Sequence, residues 1–330
     1  MEKSLEENLW KVLKEFSSEM NGLIVPLTGD ASTRAYFRFE GNEFDYIICK
    51  ELNPKAEANE DFCLTHEILN QKGIRVPKIL NINHEHKTII EEDLGDDTLL
   101  RHLVGANEDV IKSEYQKVID TIIKLFDVRS ESSKHQKIFD RAFDFEKLSS
   151  EMEMTVEFFL EKYLNTSTEL SRNPEFMKEI HQICEELESS PRVFCHRDLH
   201  SRNVMVKDGE QYLIDFQDAR MGPIFYDLVS LLEDCYFSLG PKLRESLYLY
   251  FMSKIEGAFE IKDYKRLYNL SAIQRIFKAL GSFAYFYVDK GDDRYLKYIG
   301  IGVDRLLEIL KEVGDFPAFE HTLQKSFYEH

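Results

Sequence analysis

The chain changes character once, near Leu94-Gly95, and that change limits the folds open to it. Before it, strand-like stretches run over 23–27, 35–40 and 45–52, divided by the polar loop TGDASTR and by Gly41-Asn42. Two more, VPKILNI and KTIIEEDLG, follow a helical pattern over 56–72 that closes at Gly73. An amphipathic helix over 4–20 opens the chain, with Leu5, Leu9, Val12, Leu13 and Phe16 at helical spacing and Asn21-Gly22 as its stop. Beyond Gly95 the pattern is helical almost throughout, over 111–126, 143–163, 174–188, 226–236, 241–255 and 264–287. Only VMVKDG and QYLIDF interrupt it, and they read as a small hairpin. The expectation is an α+β chain of two lobes sharing a cleft, a small antiparallel-sheet lobe over 1–95 and a mainly helical lobe over 96–330. A length of 330 residues suits two lobes that each bury a core.

Composition narrows the function. With 43% hydrophobic and 12% aromatic residues the chain is expected to fold. A formal net charge of −18 argues against general nucleic-acid binding, because neutralising a phosphate backbone takes clustered Lys and Arg. It names no cationic substrate, since an acidic surface serves solubility first. Cys49, Cys63, Cys184, Cys195 and Cys235 are scattered, odd in number and never spaced C-x-x-C, which predicts reduced thiols without a disulfide framework or a zinc site. The opening MEKSLEENLW carries acids where a secretory signal carries bases, and no apolar run approaches a membrane span, so a cytoplasmic location is expected.

The most unusual polar cluster is FCHRDLHSRNVMV, from Phe194 to Val206, followed by Asp215 in YLIDFQDA. Transfer of a phosphoryl group asks for a carboxylate at the nucleophilic hydroxyl and hard oxygen ligands for the Mg²⁺ on the nucleotide phosphates. Asp198, Asn203 five residues on and Asp215 twelve residues further carry side-chain oxygens of these kinds. Taken singly, Asp198 reads equally as a helix cap and Asp215 as the end of a strand. His196 and His200 stand at i and i+4, a metal spacing only on a helix, and are read as structural. Asp227 precedes an apolar helical pattern and reads first as its N-cap; Asp218 is a second polar candidate beside Asp215.

HRDLHSRN with a downstream IDF resembles the catalytic loop and metal-binding segment of kinase-like phosphotransferases, the superfamily of aminoglycoside phosphotransferases, choline kinases and eukaryotic-type protein kinases. The resemblance implies a bilobal protein-kinase-like fold, ATP and Mg²⁺ as cofactors, Asp198 as base, and Asn203 and Asp215 as metal ligands. It also implies that Asp227 braces the catalytic loop. On the nucleotide side it implies that the loop from Thr28 to Arg34, with Ser32, Thr33 and Arg34, covers the phosphates, although that loop has one glycine rather than three. Lys50 at the end of DYIICK falls where the superfamily places a phosphate-binding lysine, a position equally natural for a surface lysine. The acidic partner of that lysine falls on Phe62, with Glu60 and Glu67 as the nearby substitutes. TIIEEDLG resembles the hinge, where the backbone from Glu92 to Leu94 would meet the adenine edge.

A closer resemblance runs through GDASTRAYFRF, IIEEDLGDDTLL, FCHRDLHSRNVMV, IDFQDARMGPIFYDLVSLLEDCY and LSAIQRIFKALGSFAYFYVDKG, in that order. These pieces are similar to the anomeric kinases for N-acetylmuramate and N-acetylglucosamine of bacterial peptidoglycan recycling. The implied reaction moves the γ-phosphate of ATP to the sugar C1 hydroxyl, with a small-molecule amino sugar as partner. Gln274, Arg275 and Lys278 share one turn of a helix, and Arg275 or Lys278 would meet a lactyl carboxylate or hydroxyls of the sugar. Two readings stand beside this one. An aminoglycoside or aminoalcohol kinase would share the catalytic residues and use Glu233-Asp234 for ammonium groups, and a nucleotide-binding regulator would not turn over. A protein kinase is disfavoured, because GPIFYDL stands where an APE segment would follow Asp215.

Overall fold

In the computed structural model, which describes residues 3–17, 21–27, 34–53, 60–130 and 132–329, helix α1 (Lys3–Phe16) precedes strands β1 (Gly22–Pro26), β2 (Arg34–Gly41) and β3 (Asp45–Glu51). Helix α2 (Glu60–Gln71), β4 (Ile79–Asn83) and β5 (Thr88–Glu92) follow. The five strands form one antiparallel sheet in the order β1-β2-β3-β5-β4. Side chains alternate across a strand, so register assigns the faces. Phe37 lies opposite Ile48, and Ile48 opposite Ile90. These residues and Phe39 pack with Leu9, Val12 and Leu13 of α1 in one core. Arg34, Tyr36, Arg38, Cys49 and Glu91 therefore fall on the opposite face. There the Arg34 guanidinium lies 5.7 Å from the centre of the Phe62 ring of α2.

The helical part begins with α3 (Leu99–His102), α4 (Glu108–Phe126), α5 (Gln136–Phe139), α6 (Phe145–Thr155), α7 (Thr168–Ser171) and α8 (Pro174–Glu188). Asp144 caps α6 by accepting from the Lys147 amide at 2.8 Å, and from Val156 to Tyr163 the same helix continues with π-helical bonding. Next come β6 (Arg192–Cys195), β7 (Val204–Lys207), β8 (Glu210–Leu213), β9 (Arg220–Pro223), α9 (Tyr226–Leu232), α10 (Pro241–Ile255) and α11 (Tyr264–Lys290). Two further helices, α12 (Ile299–Val313) and α13 (Pro317–Tyr328), lie beyond the last one delimited from sequence.

The chain divides into two compact units, Met1–Asp97 with Met205–Gln217, and Thr98–Val204 with Asp218–His330. The expected hairpin forms, with Asp208 and Gly209 both at positive φ as a two-residue turn requires. It belongs to the first unit rather than to the helical lobe, fastened there by Val206 N to Asp97 O at 2.7 Å and Leu213 N to Arg75 O at 2.9 Å. In the second unit a further antiparallel pair, β6 with β9, brackets the polar cluster. Strands of four residues are too short to show periodicity.

Within the second unit α11 is the central element. From 267 to 284 every residue is buried except Lys278 and Ser282, one turn apart on a single face. Phe277 packs edge-on to Phe319 of α13 at 4.9 Å. Gly281 meets α6, where a Cβ would come 2.2 Å from Thr155 Oγ1 and 2.8 Å from Thr155 Cα. Thr155 cannot give way cheaply, because its hydroxyl donates to Glu151 O at 3.0 Å and Phe277 O at 3.2 Å. Gly281→Ala is expected to cost about 1–3 kcal/mol, as overpacking does, visible as a lower urea midpoint at unchanged m. No helix among the described residues is long and apolar enough to cross a membrane.

Candidate active site

In the second unit the polar cluster is the connection from β6 to β7, a loop and not a helix, which removes the i,i+4 metal reading of His196 and His200. Two buried carboxylates hold this loop. Asp227 sits inside the first turn of α9, whose N-cap is Phe225, and its carboxylate turns away from the helix. It accepts from His196 N at 2.7 Å and Arg197 N at 3.0 Å, so Asp227 braces the loop and does not cap. Asp234 accepts from Ser201 N at 2.9 Å, Ser201 Oγ at 2.5 Å and Tyr236 N at 2.8 Å, which is why α9 ends at Leu232, short of the expected 236. Burial raises the pKa of both carboxyls, and the bonds to the loop oppose that rise. Asp227→Ala would leave two buried N–H groups without acceptors, at a cost of about 2–3 kcal/mol, and would loosen the loop. A thermal melt beside a single-turnover assay on the same sample checks both effects.

Arg197 is held at φ 88°, a strained conformation for a non-glycine residue and of the kind stored at functional sites. Its guanidinium lies 3.5 Å from Glu151, 3.2 Å from Asp218 and 3.7 Å from Asp198 Oδ2. Asp198 Oδ1 receives Lys278 Nζ at 2.9 Å and an Arg275 nitrogen at 3.3 Å. Burial alone would raise the Asp198 pKa; Lys278, Arg197 and Arg275 outweigh it and hold the carboxyl well below the usual aspartate range. Glu151 is likewise pushed up by burial and brought down by Lys278, Arg197 and Lys147, with Gln274 Nε2 donating to it at 3.2 Å. His200, pushed down to about 3 by burial and the neighbouring cations, is neutral at working pH. Asn203 Nδ2 donates to Asp198 O at 2.9 Å, which ties the amide to the loop that carries Asp198.

Asp198, Asn203, Asp218, Arg275 and Lys278 are thus brought together in one unit. Glu151, Ser230 and Asp234 belong with them and were not singled out for this role from sequence. The stretch SSEMEMTVEFF carries three acids, Glu151, Glu153 and Glu157, and nothing in the sequence marks Glu151 as the one that turns inward.

In the first unit Asp215 follows β8 at φ 63°, again left-handed, and accepts from Gln217 Nε2 at 2.8 Å. Its neighbour Phe216 packs on Phe62 with ring centres 4.7 Å apart and planes tilted by 36°, so an apolar contact occupies the position where an acid was sought. Glu67 accepts from Gln71 Nε2 at 3.3 Å on the exposed side of α2, and Glu60 is exposed. Lys50 shares the α1 face with Ile48 and donates to the His86 carbonyl; burial, with Lys87 nearby, lowers its pKa. The expected phosphate lysine is therefore turned from the face that carries Arg34, whose guanidinium stands 3.6 Å from Glu51. Ser32 and Thr33 lie outside the described residues.

Glu92 Oε1 accepts from Lys78 N at 2.8 Å, and Leu94 is buried with neither its N–H nor its C=O bonded among the described residues. Arg38 clamps this segment through a bidentate pair with Asp93 at 2.5 and 3.1 Å and through Asp96 at 2.8 Å, while Lys207 Nζ donates to Asp93 O at 2.7 Å. Glu91, on the Arg34 face, is a buried carboxyl whose Oε1 has no hydrogen bond among the described residues.

Asn203 in the second unit and Asp215 in the first each carry a hard side-chain oxygen of the kind Mg²⁺ takes, and among the described residues no group of three or more His, Cys, Asp or Glu is placed to hold a metal unaided. A Mg²⁺ ion takes one or two protein oxygens and fills its remaining positions with water and substrate phosphates.

The model of the phosphotransferase enzyme family matches residues 24–252. An N-acetylmuramate/N-acetylglucosamine kinase of Pseudomonas aeruginosa is 28% identical over 315 residues, covering 89% of this chain and 88% of that protein. A protein of the same name from Neisseria meningitidis is 25% identical, covering 86% and 84%. Among solved structures, a choline/ethanolamine kinase family protein from Mesorhizobium loti superposes with a TM-score of 0.62 at 14% identity, covering 98% of both chains. An ADP-bound aminoglycoside phosphotransferase gives 0.62 at 13%, covering 98% and 99%. These likenesses show the kinase-like fold, and the family match over more than half of the chain decides the kinship: the chain belongs to the phosphotransferase enzyme family and is a kinase of that family.

Proposed function

We propose that the protein phosphorylates the anomeric hydroxyl of N-acetylmuramate, N-acetylglucosamine or both, using Mg²⁺-bound ATP. The observation that carries the reading is the setting of Asp198, a carboxylate kept ionised among Lys278, Arg275 and Arg197, in a loop that also fixes the Asn203 amide. Asp198 accepts the hydroxyl proton, and Asn203 and Asp215 hold the metal. When bound, Mg²⁺ neutralises charge on the phosphates and aligns them for in-line transfer. In this reading Arg34, Ser32 and Thr33 supply donors to the phosphates, and the backbone from Glu92 to Leu94 receives the adenine edge. An anomeric hydroxyl releases its proton more readily than an ordinary alcohol, which suits a carboxylate made less basic by its cations. The names of the relatives, at 25–28% identity over more than four-fifths of the chain, support this acceptor.

A cationic aminoglycoside acceptor finds less support, because the acids that would receive it are engaged. Glu233 accepts from Tyr268 Oη at 2.7 Å and Arg305 at 2.8 and 3.0 Å, and Asp234 holds Ser201. Phosphorus NMR of the purified protein with Mg-ATP and N-acetylmuramate, N-acetylglucosamine or kanamycin in parallel tests the choice. A sugar 1-phosphate signal is expected with one or both amino sugars. A product with kanamycin alone moves the assignment to aminoglycosides.

A further inference from the structure

The geometry points to Lys278 as a catalytic residue that binds the phosphoryl group in transfer, with Asp198 as its resting counter-ion. The inference rests on the phosphotransfer reading above and goes beyond it, since that reading uses Asp198 only as a base.

The two cations from α11 are differently placed. The Arg275 side chain is 9% exposed and doubly tied, Nε donating to Ser230 Oγ at 2.9 Å and a terminal nitrogen lying 3.3 Å from Asp198. It is a positioning residue. Lys278 has one hydrogen bond from its ammonium, to Asp198 Oδ1 at 2.9 Å, and no other partner for Nζ among the described residues. An ammonium carries three donors on a flexible four-carbon stem, so two of them are uncommitted. Lys278 is also, with Ser282, one of two openings in a helix otherwise buried from 267 to 284. Charge points the same way. Asp198, Asp218 and Glu151 are faced by Arg197, Arg220, Arg275, Lys278 and Lys147, and Arg197 and Lys147 are matched by Glu151 and Asp218. Cationic charge remains beside the base.

A hydroxyl that gives its proton to Asp198 must come within about 2.6–3.2 Å of the carboxylate, and Lys278 Nζ already touches that carboxylate. The phosphorus bonds to that same hydroxyl oxygen, which brings a charged equatorial oxygen within reach of the lysine. The acceptor oxygen's lone pair forms the new P–O bond, and the bond from the γ-phosphorus to the bridging oxygen breaks with its electron pair leaving on ADP. The hydroxyl proton passes to Asp198. Lys278 supplies charge and two donors, and keeps its own protons.

The test uses the full chain and the variants Lys278→Met and Lys278→Arg. Titration calorimetry compares Mg-ADP with Mg-ADP plus aluminium fluoride, a mimic of the phosphoryl group in flight that needs no assumption about the sugar. Lys278→Met should weaken the fluoride complex about tenfold or more, the worth of one hydrogen bond to a charged group, and leave Mg-ADP unchanged. In turnover, kcat should fall about 10²–10³-fold with N-acetylmuramate and N-acetylglucosamine alike, at similar KM, as when one donor to a charged transition state is lost. Lys278→Arg should recover part of both, and a cooperative melt with an unchanged circular dichroism spectrum establishes that each variant folds. An unchanged fluoride complex overturns the proposal, as does a loss confined to the KM for N-acetylmuramate, which would make Lys278 a receptor for the acceptor's carboxylate. If the wild type uses neither sugar, the acceptor reading fails while the fluoride comparison still decides the role of Lys278.

Discussion

Asp198→Asn is expected to lower kcat by about 10²–10⁴-fold, the range for a positioned general base, with little change in KM for Mg-ATP. The asparagine keeps the shape of the side chain and its contact to the loop, but it accepts no proton. It also removes the anion that receives Lys278 and Arg275, both about nine-tenths buried in their side chains. The folded-state pKa of Asp198 lies below its ordinary value, so its ionisation stabilises the protein above the ordinary aspartate range, and that contribution is lost as pH falls through the depressed value. The variant should therefore melt below the wild type at pH 7, with the gap closing in acid. Single-turnover rates and melts at pH 7 and pH 3 read the two consequences separately. A kcat within a few-fold of wild type would remove Asp198 from the base role, whatever the melts show.

The centre of this site was legible because its residues are close in sequence. Asp198 and Asn203 lie five residues apart in one loop, so spacing alone carries their relation, and Asp215 comes just after the second strand of the next hairpin. What holds Asp198 in place comes from far along the chain. Asp227 and Asp234 reach back over about thirty residues, and Arg275 and Lys278 over 77 and 80. Sequence gave α11 as an apolar helix with basic residues on one turn. It could not say that those residues point inward, because a long helix buried nearly all round has no polar face to orient it.

Lys50 shows the same limit in a strand. DYIICK has apolar residues on both parities, as a strand covered on both faces does, and so nothing in it tells which face its last residue takes. Register against Ile90 and the core under α1 decides it. Phe62 is the complementary case. Its apolar side chain at an expected acidic position was a visible departure, and its physical reason, the packing on Phe216 beside Asp215, exists only in three dimensions.

Glu91→Gln is expected to stabilise the protein increasingly as pH rises from about 5 to 8. Glu91 is 5% exposed, and burial pushes its carboxyl up to about 8 from 4.5, with Arg34 alone opposing. Between those two values the unfolded chain has released the proton and the folded chain still holds it, so the folded state binds more protons and stability falls with rising pH. At about 1.36 kcal/mol per pH unit the rise from 4.5 to about 8 amounts to about 5 kcal/mol at its upper bound, complete above pH 8 and absent below the unfolded value. Glutamine cannot ionise, and it keeps nearly the same volume beside Tyr36 and Cys49. Urea unfolding of both proteins at half-unit steps from pH 5 to 8.5 reads the difference directly. A gap that widens with pH and levels off near 8 locates the buried proton on Glu91. A gap independent of pH would mean that Glu91 is ionised in the folded protein and that Arg34 neutralises it.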